Sequence, residues 1–309
     1  MALGDPSAHS IAAGDLEAVF LPGRGMIGAS LRDRGAELLR RVVDLETMAA
    51  EGRAAGMPLL HPWANRLAEF GYRAAGRPVA LDPSSPLLHR DDNGLPIHGV
   101  PWSRLAWEVT HARSDGLAAR LEWARGEHLA VFPFRHRLEM AVTLRPEGLT
   151  WETTLVAGPE GPVPASFGFH PYFGLPGLPR ARWRLRLPPM TRLALDRYQI
   201  PTGAEEPFPG LDAELGSLDF DDGFALRDPM TSFSIEGAGR RITVECLEGF
   251  GYAQVFAPKG HEYVALEPMT APTNALVSGR GLRLVPPGGR LRATFRVGVT
   301  ALDTTTSST

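Results

Sequence analysis

The sequence holds one cysteine, Cys246, among 309 residues. That excludes an intramolecular disulfide and a cysteine-based zinc cluster, and a reducing compartment, the cytoplasm, is expected. The chain also lacks a continuous run of about 18 apolar residues, the length a membrane-spanning helix needs. Charge of one sign is lacking too: 32 basic residues stand against 35 acidic ones, and a formal net charge of -3 gives no steering field for nucleic acid or an anionic membrane. Near the start stand Asp5 and Pro6, where a signal peptide would carry a basic region and then an apolar one, so secretion is not expected.

Several chemical signatures are missing as well. Gly23, Gly25 and Gly28 are followed by no long helical pattern and form no dinucleotide fingerprint. The nine histidines contain no H-E-x-x-H, so a metal site would require His61, His98 and His170 to converge from separate segments, and no metal or organic cofactor is expected. No G-x-S-x-G elbow surrounds Ser166 or any other serine. No linker and no repeat at a fixed period divides the chain; its 34 glycines and 28 prolines are spread through it as turns.

What is present is a series of short alternating segments. Leu138, Met140, Val142 and Leu144 alternate with Arg137, Glu139, Ala141 and Thr143, the period of a half-buried strand. Segments 16–21, 26–31, 103–110, 117–124, 129–136, 137–144, 149–156 and 183–195 read as strands, and so do the later segments 232–236, 241–246, 252–257, 263–267, 282–287 and 292–299. Residues 46–55 are a turn or two of helix or a loop, 205–214 read as a loop, and any helix should be short and lie in the first hundred residues. The expected fold is all-β, one large antiparallel β-sandwich over residues 1–301 with a flexible tail at 302–309.

Within that framework, Ser166-Phe-Gly-Phe-His-Pro-Tyr-Phe-Gly sets the imidazole of His170 among Phe169, Tyr172 and Phe173. Glu267 ends a short apolar run just before Pro268. An imidazole and a carboxylate beside aromatic faces suit proton transfer on a polyol-like small molecule. Asn65 and Arg66 supply an amide and a planar guanidinium fit for vicinal hydroxyls, and His98 is pinned between Ile97 and Gly99. Glu267 with Asp221 or Asp222 leaves a glycosidase-like carboxylate pair open.

Taken in order, Asn65-Arg66, His98-Gly99, His170-Pro-Tyr172-Phe173, Phe220-Asp221-Asp222-Gly-Phe224 and Glu267-Pro268 resemble the motifs of the aldose 1-epimerase, or galactose mutarotase-like, family. The resemblance implies the family's supersandwich fold and interconversion of the α and β anomers of a free aldose without metal or cofactor. It also implies roles: Glu267 as the base that takes the anomeric hydroxyl proton, and His170 as the acid that protonates the ring oxygen. Asn65, Arg66, His98, Tyr172 and Asp221 would then be sugar ligands. On this reading the histidine should titrate near neutral pH and the carboxylate should be ionised before reaction. The chain departs from the family pattern at Val100, where a second glycine is usual, and at Pro171. Two other readings therefore stay open: a hexose-6-phosphate epimerase using Arg66, Arg73 and Arg77, and a non-catalytic carbohydrate-binding protein. The partner in each case is a small sugar, with no nucleic acid or membrane, and the protein is expected to be a monomer or weak homodimer.

Overall fold

The structure, a computed structural model, describes residues 5–40, 55–228 and 230–302. The expectation for residues 46–54 and most of that for the tail lie outside the described residues. All named strand pairs are antiparallel. A nine-stranded sheet runs from edge to edge through Glu108–Arg113, Gly116–Trp123, His136–Arg145, Gly148–Ala157, Arg290–Ala301, Arg240–Glu248, Ser232–Gly237, Arg184–Leu187 and Leu211–Glu214. An eight-stranded sheet carries Pro201–Phe208, Met190–Leu195, Phe220–Ala225, Tyr252–Ala257 and Val264–Met269, then Gly168–Phe169 and Leu59–Leu60, with Tyr172–Phe173 also paired to Val264–Met269. A four-stranded sheet of His9–Ala13, Leu16–Leu21, Ile27–Asp33 and Ala36–Glu37 completes the larger elements.

The alternation read from the sequence is what packs these sheets. On His136–Arg145 every second residue from His136 to Leu144 is buried, and a two-residue connection carries the chain into Gly148–Ala157. Trp151 on that second strand is the meeting point of the three sheets. Its ring lies 5.2 Å from Phe20 of the four-stranded sheet, 5.2 Å from Phe169 of the eight-stranded sheet and 5.8 Å from Phe295 of its own sheet. Cys246 is buried on Arg240–Glu248, and burial pushes its thiol up to about 12, so it is unreactive at neutral pH.

Four sequence expectations are corrected. Residues 103–110 are a 3-10 turn, Trp102–Arg104, followed by the strand Glu108–Arg113, because Trp102 turns inward against Leu21, Ile27 and Ala29. Residues 129–136 are not one strand. A short helix, Gly126–Val131, stacks His128 on Trp123 at 4.6 Å before Pro133 and the strand at His136. Residues 205–214 are strands, Pro201–Phe208 and Leu211–Glu214, each at a sheet edge, where neither face is buried and so no apolar alternation marks them. The described α-helices, Gly126–Val131 and Ala275–Ser278, are short but lie beyond the first hundred residues, where only the 3-10 turn Pro22–Arg24 is described. None is long and apolar enough to cross a membrane.

His61 belongs to the core and is turned away from His98 and His170. His136 donates from Nδ1 to the carbonyl of Phe134 at 2.7 Å, so its Nε2 accepts from His61 Nε2 at 2.9 Å. Burial holds both imidazoles below the ordinary histidine value, His136 at about 4. Their folded pKa values are depressed, so the stability they permit is complete above the unfolded value near 6.5 and is lost as pH falls from there toward 4. Urea midpoints should decline over that window by the equivalent of about 1.4 kcal/mol per pH unit for each such histidine. His136→Gln, which keeps a hydrogen-bonding side chain without titrating, should flatten the decline; an equally steep decline in that variant would assign it elsewhere.

Candidate active site

Glu267 sits on Val264–Met269, a strand buried along its whole length, and pairs in register with Gln254 on Tyr252–Ala257. Across from it the chain segment after Gly168–Phe169 brings in His170, whose backbone N–H donates to Pro58. His170 Nε2 lies 3.2 Å from Glu267 Oε1, and both side chains are almost wholly buried. The His170 ring stacks on Tyr172 with centroids 4.1 Å apart and meets Phe256 edge-on. Phe169 and Phe173, the other aromatic neighbours in sequence, do not line the site. They face the core, Phe169 against Trp151 and Phe295, because consecutive residues of an extended chain point to opposite sides.

The wall opposite Tyr172 comes from two residues in left-handed backbone conformation, Asn65 at φ 58° and His98 at φ 61°. Asn65 N donates to His98 Nδ1 at 3.2 Å, which leaves the neutral ring's proton on Nε2 as a donor. His98 meets the His170 ring edge-on at 5.5 Å. Gly99 makes this loop possible: at φ 66°, a Cβ there would lie 2.3 Å from the carbonyl oxygen of His61. The usual second glycine has no such duty here, since Val100 is simply packed in the core.

Arg66 is held in place from several sides. Its Nε donates to Asp91 at 2.7 Å, Nη1 donates to Asn65 Oδ1 at 3.0 Å, and Nη2 is 3.9 Å from Asp221. Burial works against the Asp91 charge, but the Arg66 bond and the backbone N–H groups of Leu95 and Asn93 hold its pKa below the usual range. Asp221 also accepts from Gln254 Nε2 at 2.7 Å, on the Glu267 side of the sheet. Asp222, the alternative partner for Glu267, points to the other face and pairs with Arg192 at 3.3 Å. Arg73 and Arg77 lie on the separate hairpin of Gly71–Ala74 and Arg77–Ala80, where Arg73 donates to Gly76 and Arg77 to Pro133 beside the Phe134 ring.

Burial dominates the electrostatics of the central pair. It pushes His170 down to about 3, with Arg40 adding to the effect, and raises Glu267 well above the ordinary carboxylate value, with Asp221 adding and Arg66 opposing. The expectation of a near-neutral histidine beside an ionised carboxylate is therefore corrected. Burial disfavours the charged form of each group, so the uncharged imidazole beside the uncharged carboxyl is the favoured pairing. The two descriptions carry the same number of protons, and each presents one donor and one acceptor.

Three contributors were not legible as site residues in the sequence. Gln254 is a lone buried polar residue in the apolar run Tyr252–Ala257, a signal that could have marked it. Asp91 opens the run Asp91-Asp92-Asn93-Gly94, which in the sequence marks a turn and not a site. Arg40 lies 5.7 Å from the centre of the Tyr172 ring and 4.8 Å from that of Tyr263, and nothing in its local sequence marks it.

The aldose 1-epimerase family matches the chain over residues 21–298. Among solved structures, a galactose mutarotase-like protein from Clostridium acetobutylicum superposes with a TM-score of 0.81 at 20% identity, covering 95% of each chain. A protein from Synechocystis sp. PCC 6803 reaches 0.77 at 24% identity over 96% of each chain. Galactose 1-epimerase from Lactobacillus acidophilus NCFM reaches 0.75 at 14% identity, over 94% of this chain and 93% of that one. No curated protein is similar enough to count as a relative. The sandwich is thus of the galactose mutarotase-like type, and since the family match takes in all but the two ends of the sequence, the chain belongs to the aldose 1-epimerase family.

Proposed function

We propose that the protein is an aldose 1-epimerase acting on an unphosphorylated aldose, with Glu267 and His170 as its proton-transfer pair. The observation that carries this reading is the 3.2 Å approach of His170 Nε2 to Glu267 Oε1 in a buried floor ringed by polar groups. The anomeric hydroxyl and the ring oxygen share one carbon, so a donor and an acceptor this close can serve both. Glu267 as carboxylate takes the hydroxyl proton while protonated His170 gives one to the ring oxygen, and the C1–O5 bond opens to the aldehyde. Rotation about C1–C2 and the reverse transfers close the ring as the other anomer. Entry of sugar hydroxyls into the dry site favours this charged form of the pair over the neutral one, at no change in proton count.

Asn65, Arg66, His98 and Asp221 take the sugar hydroxyls, with Tyr172 backing His170. Gln254, between Asp221 and Glu267, holds the Asp221 carboxylate in place. The chain works as one domain over residues 1–301, as a cytoplasmic monomer or weak homodimer, without metal or cofactor. The phosphosugar reading has one observation in its favour, the Arg40 guanidinium over Tyr172 and Tyr263 near His170. A panel of glucose, galactose, arabinose, xylose and glucose 6-phosphate, followed by polarimetry, tests the choice. Faster equilibration of neutral aldoses, unchanged in Arg40→Ala, is expected. Turnover restricted to the phosphosugar and lost in Arg40→Ala would replace the first reading by the second.

The pH profile follows from the burial of the pair. Activity requires one transferable proton across His170 and Glu267, so kcat/KM should be flat between an acid limb below the usual histidine value and an alkaline limb above the usual carboxylate value. Initial rates on folded protein should vary little through the range near 6.5 where an ordinary histidine titrates. A tenfold loss per pH unit beginning near 6.5 would mean that an ordinary, solvated histidine governs catalysis.

A further inference from the structure

Leu59–Leu60 is an edge of the eight-stranded sheet, held there by two register pairs, Leu60 with Gly168 and Leu59 with Phe169. The chain then leaves the sheet and soon presents Asn65 and Arg66 to the candidate site. So short an edge strand fixes its continuation only weakly. Beyond it, Val100 N donates to the His61 carbonyl at 2.9 Å, Ala64 N to Ser166 at 2.7 Å and His98 N to Asn65 at 2.9 Å. The segment that begins at His61 therefore also places the loop carrying His98. Gly99, with no room for a Cβ beside the His61 carbonyl, holds that loop close against it.

The His61 side chain ties this segment to the nine-stranded sheet. Its Nε2 donates to His136 Nε2 at 2.9 Å, whereas its Nδ1 is buried without a hydrogen-bond partner among the described residues, so one bond decides how the ring is turned. The anchor at the other end is rigid. His136 opens the strand His136–Arg145 and pairs in register with both Trp123 and Ala157. Its Nδ1 donates to the Phe134 carbonyl at 2.7 Å, and its ring stacks on Trp123 with centroids 5.4 Å apart. Trp123 is fixed in turn by donating from Nε1 to the Phe132 carbonyl at 2.9 Å. A neutral imidazole has one donor and one acceptor, and His136 has committed both.

Ligand groups hold a small molecule only as exactly as the residues behind them are held. We propose that His61 and His136 are positioning residues of the candidate site: their hydrogen bond clamps the segment 61–66, and with it the His98 loop, to the nine-stranded sheet, so that Asn65, Arg66 and His98 keep their places relative to His170 and Glu267. Neither imidazole touches the sugar. Loss of the clamp weakens sugar binding through the displaced loops and leaves the proton-transfer pair, which stands on other strands, in place. The effect on turnover rests on the epimerase reading; the effect on the loops does not.

The test compares wild-type protein with His136→Leu, which fills the space without an acceptor, with His136→Gln, which restores one, and with the double change His61→Leu and His136→Leu. In His136→Leu the KM of the neutral aldose turned over fastest should rise about tenfold while kcat stays within about threefold, and in His136→Gln both should stay within about threefold of wild type. Removing both partners together is close to neutral for stability, so the double variant keeps the fold where the single one does not and should show the same rise in KM. The dissociation constant of the corresponding methyl glycoside, which has no free anomeric hydroxyl, should rise in parallel by NMR titration. Without sugar, the backbone N–H groups of Asn65, Leu67, His98 and Val100 should exchange faster in His136→Leu while those of Leu138, Met140 and Val142 do not. Such selective loop exchange in a protein that neither binds nor turns over sugar would support the clamp and sink only the epimerase reading. Unchanged KM and loop exchange in folded His136→Leu, equal losses in His136→Gln, or faster exchange in loops and strand alike at unchanged KM would overturn the clamp and leave the epimerase reading intact.

Discussion

Glu267→Gln and His170→Ala are each expected to slow aldose anomer interconversion by about 10²–10⁴-fold while leaving the protein folded. Glutamine keeps the shape of the carboxyl but can neither take nor carry the transferable proton, and alanine at 170 removes the partner 3.2 Å away. Ring opening in one direction is ring closure in the other, so each group acts as donor in one half and acceptor in the next, and loss of either interrupts both directions. The double variant should be little slower than the worse single one, because the pair works as a unit. Glu267→Gln keeps the side chain's volume and hydrogen-bonding capacity, so thermal stability should hold, whereas His170→Ala leaves a cavity beside Tyr172 and should lower it modestly. Full activity in Glu267→Gln would reject that residue as the base even with epimerase activity present.

Trp151→Ala is expected to cost about 3–5 kcal/mol, the largest stability loss of any single change considered. The indole is about 1% exposed and contacts Phe20, Phe169 and Phe295, so its removal opens a cavity where three sheets meet. Phe169 immediately precedes His170, and slack beneath it displaces the imidazole from Glu267; kcat in the remaining folded protein should fall as well. Trp151→Phe, which keeps an aromatic ring in place, should cost less than half as much. Urea unfolding of the three proteins checks the order. A loss below 1 kcal/mol for Trp151→Ala would mean that the sheets are joined elsewhere.

The sandwich was legible wherever a strand has one buried and one exposed face, as on His136–Arg145. It was illegible at the edges, where Pro201–Phe208 is polar on both sides, and where tertiary packing overrides local preference, as in the helical turn that stacks His128 on Trp123. The motif residues were legible because their spacing along the chain survives folding. Their partners were not: Gln254 and Asp91 reach Asp221 and Arg66 across sequence gaps that no local pattern records. The protonation of the central pair was misread for a related reason. Composition fixes which groups titrate, but burial decides which form is favoured, and both His170 and Glu267 are almost wholly buried.

On the proposed function, this buried pair opens and recloses a neutral sugar ring. Two-dimensional exchange NMR on glucose labelled with carbon-13 at C1, with purified wild-type protein, measures that event directly as magnetisation passing between the α and β anomeric signals. Exchange cross-peaks are expected whose intensity scales with protein concentration and which vanish in Glu267→Gln. Line broadening that saturates with sugar, with no cross-peaks between anomers across the panel of neutral aldoses, would contradict it and leave a protein that binds sugar without turning it over.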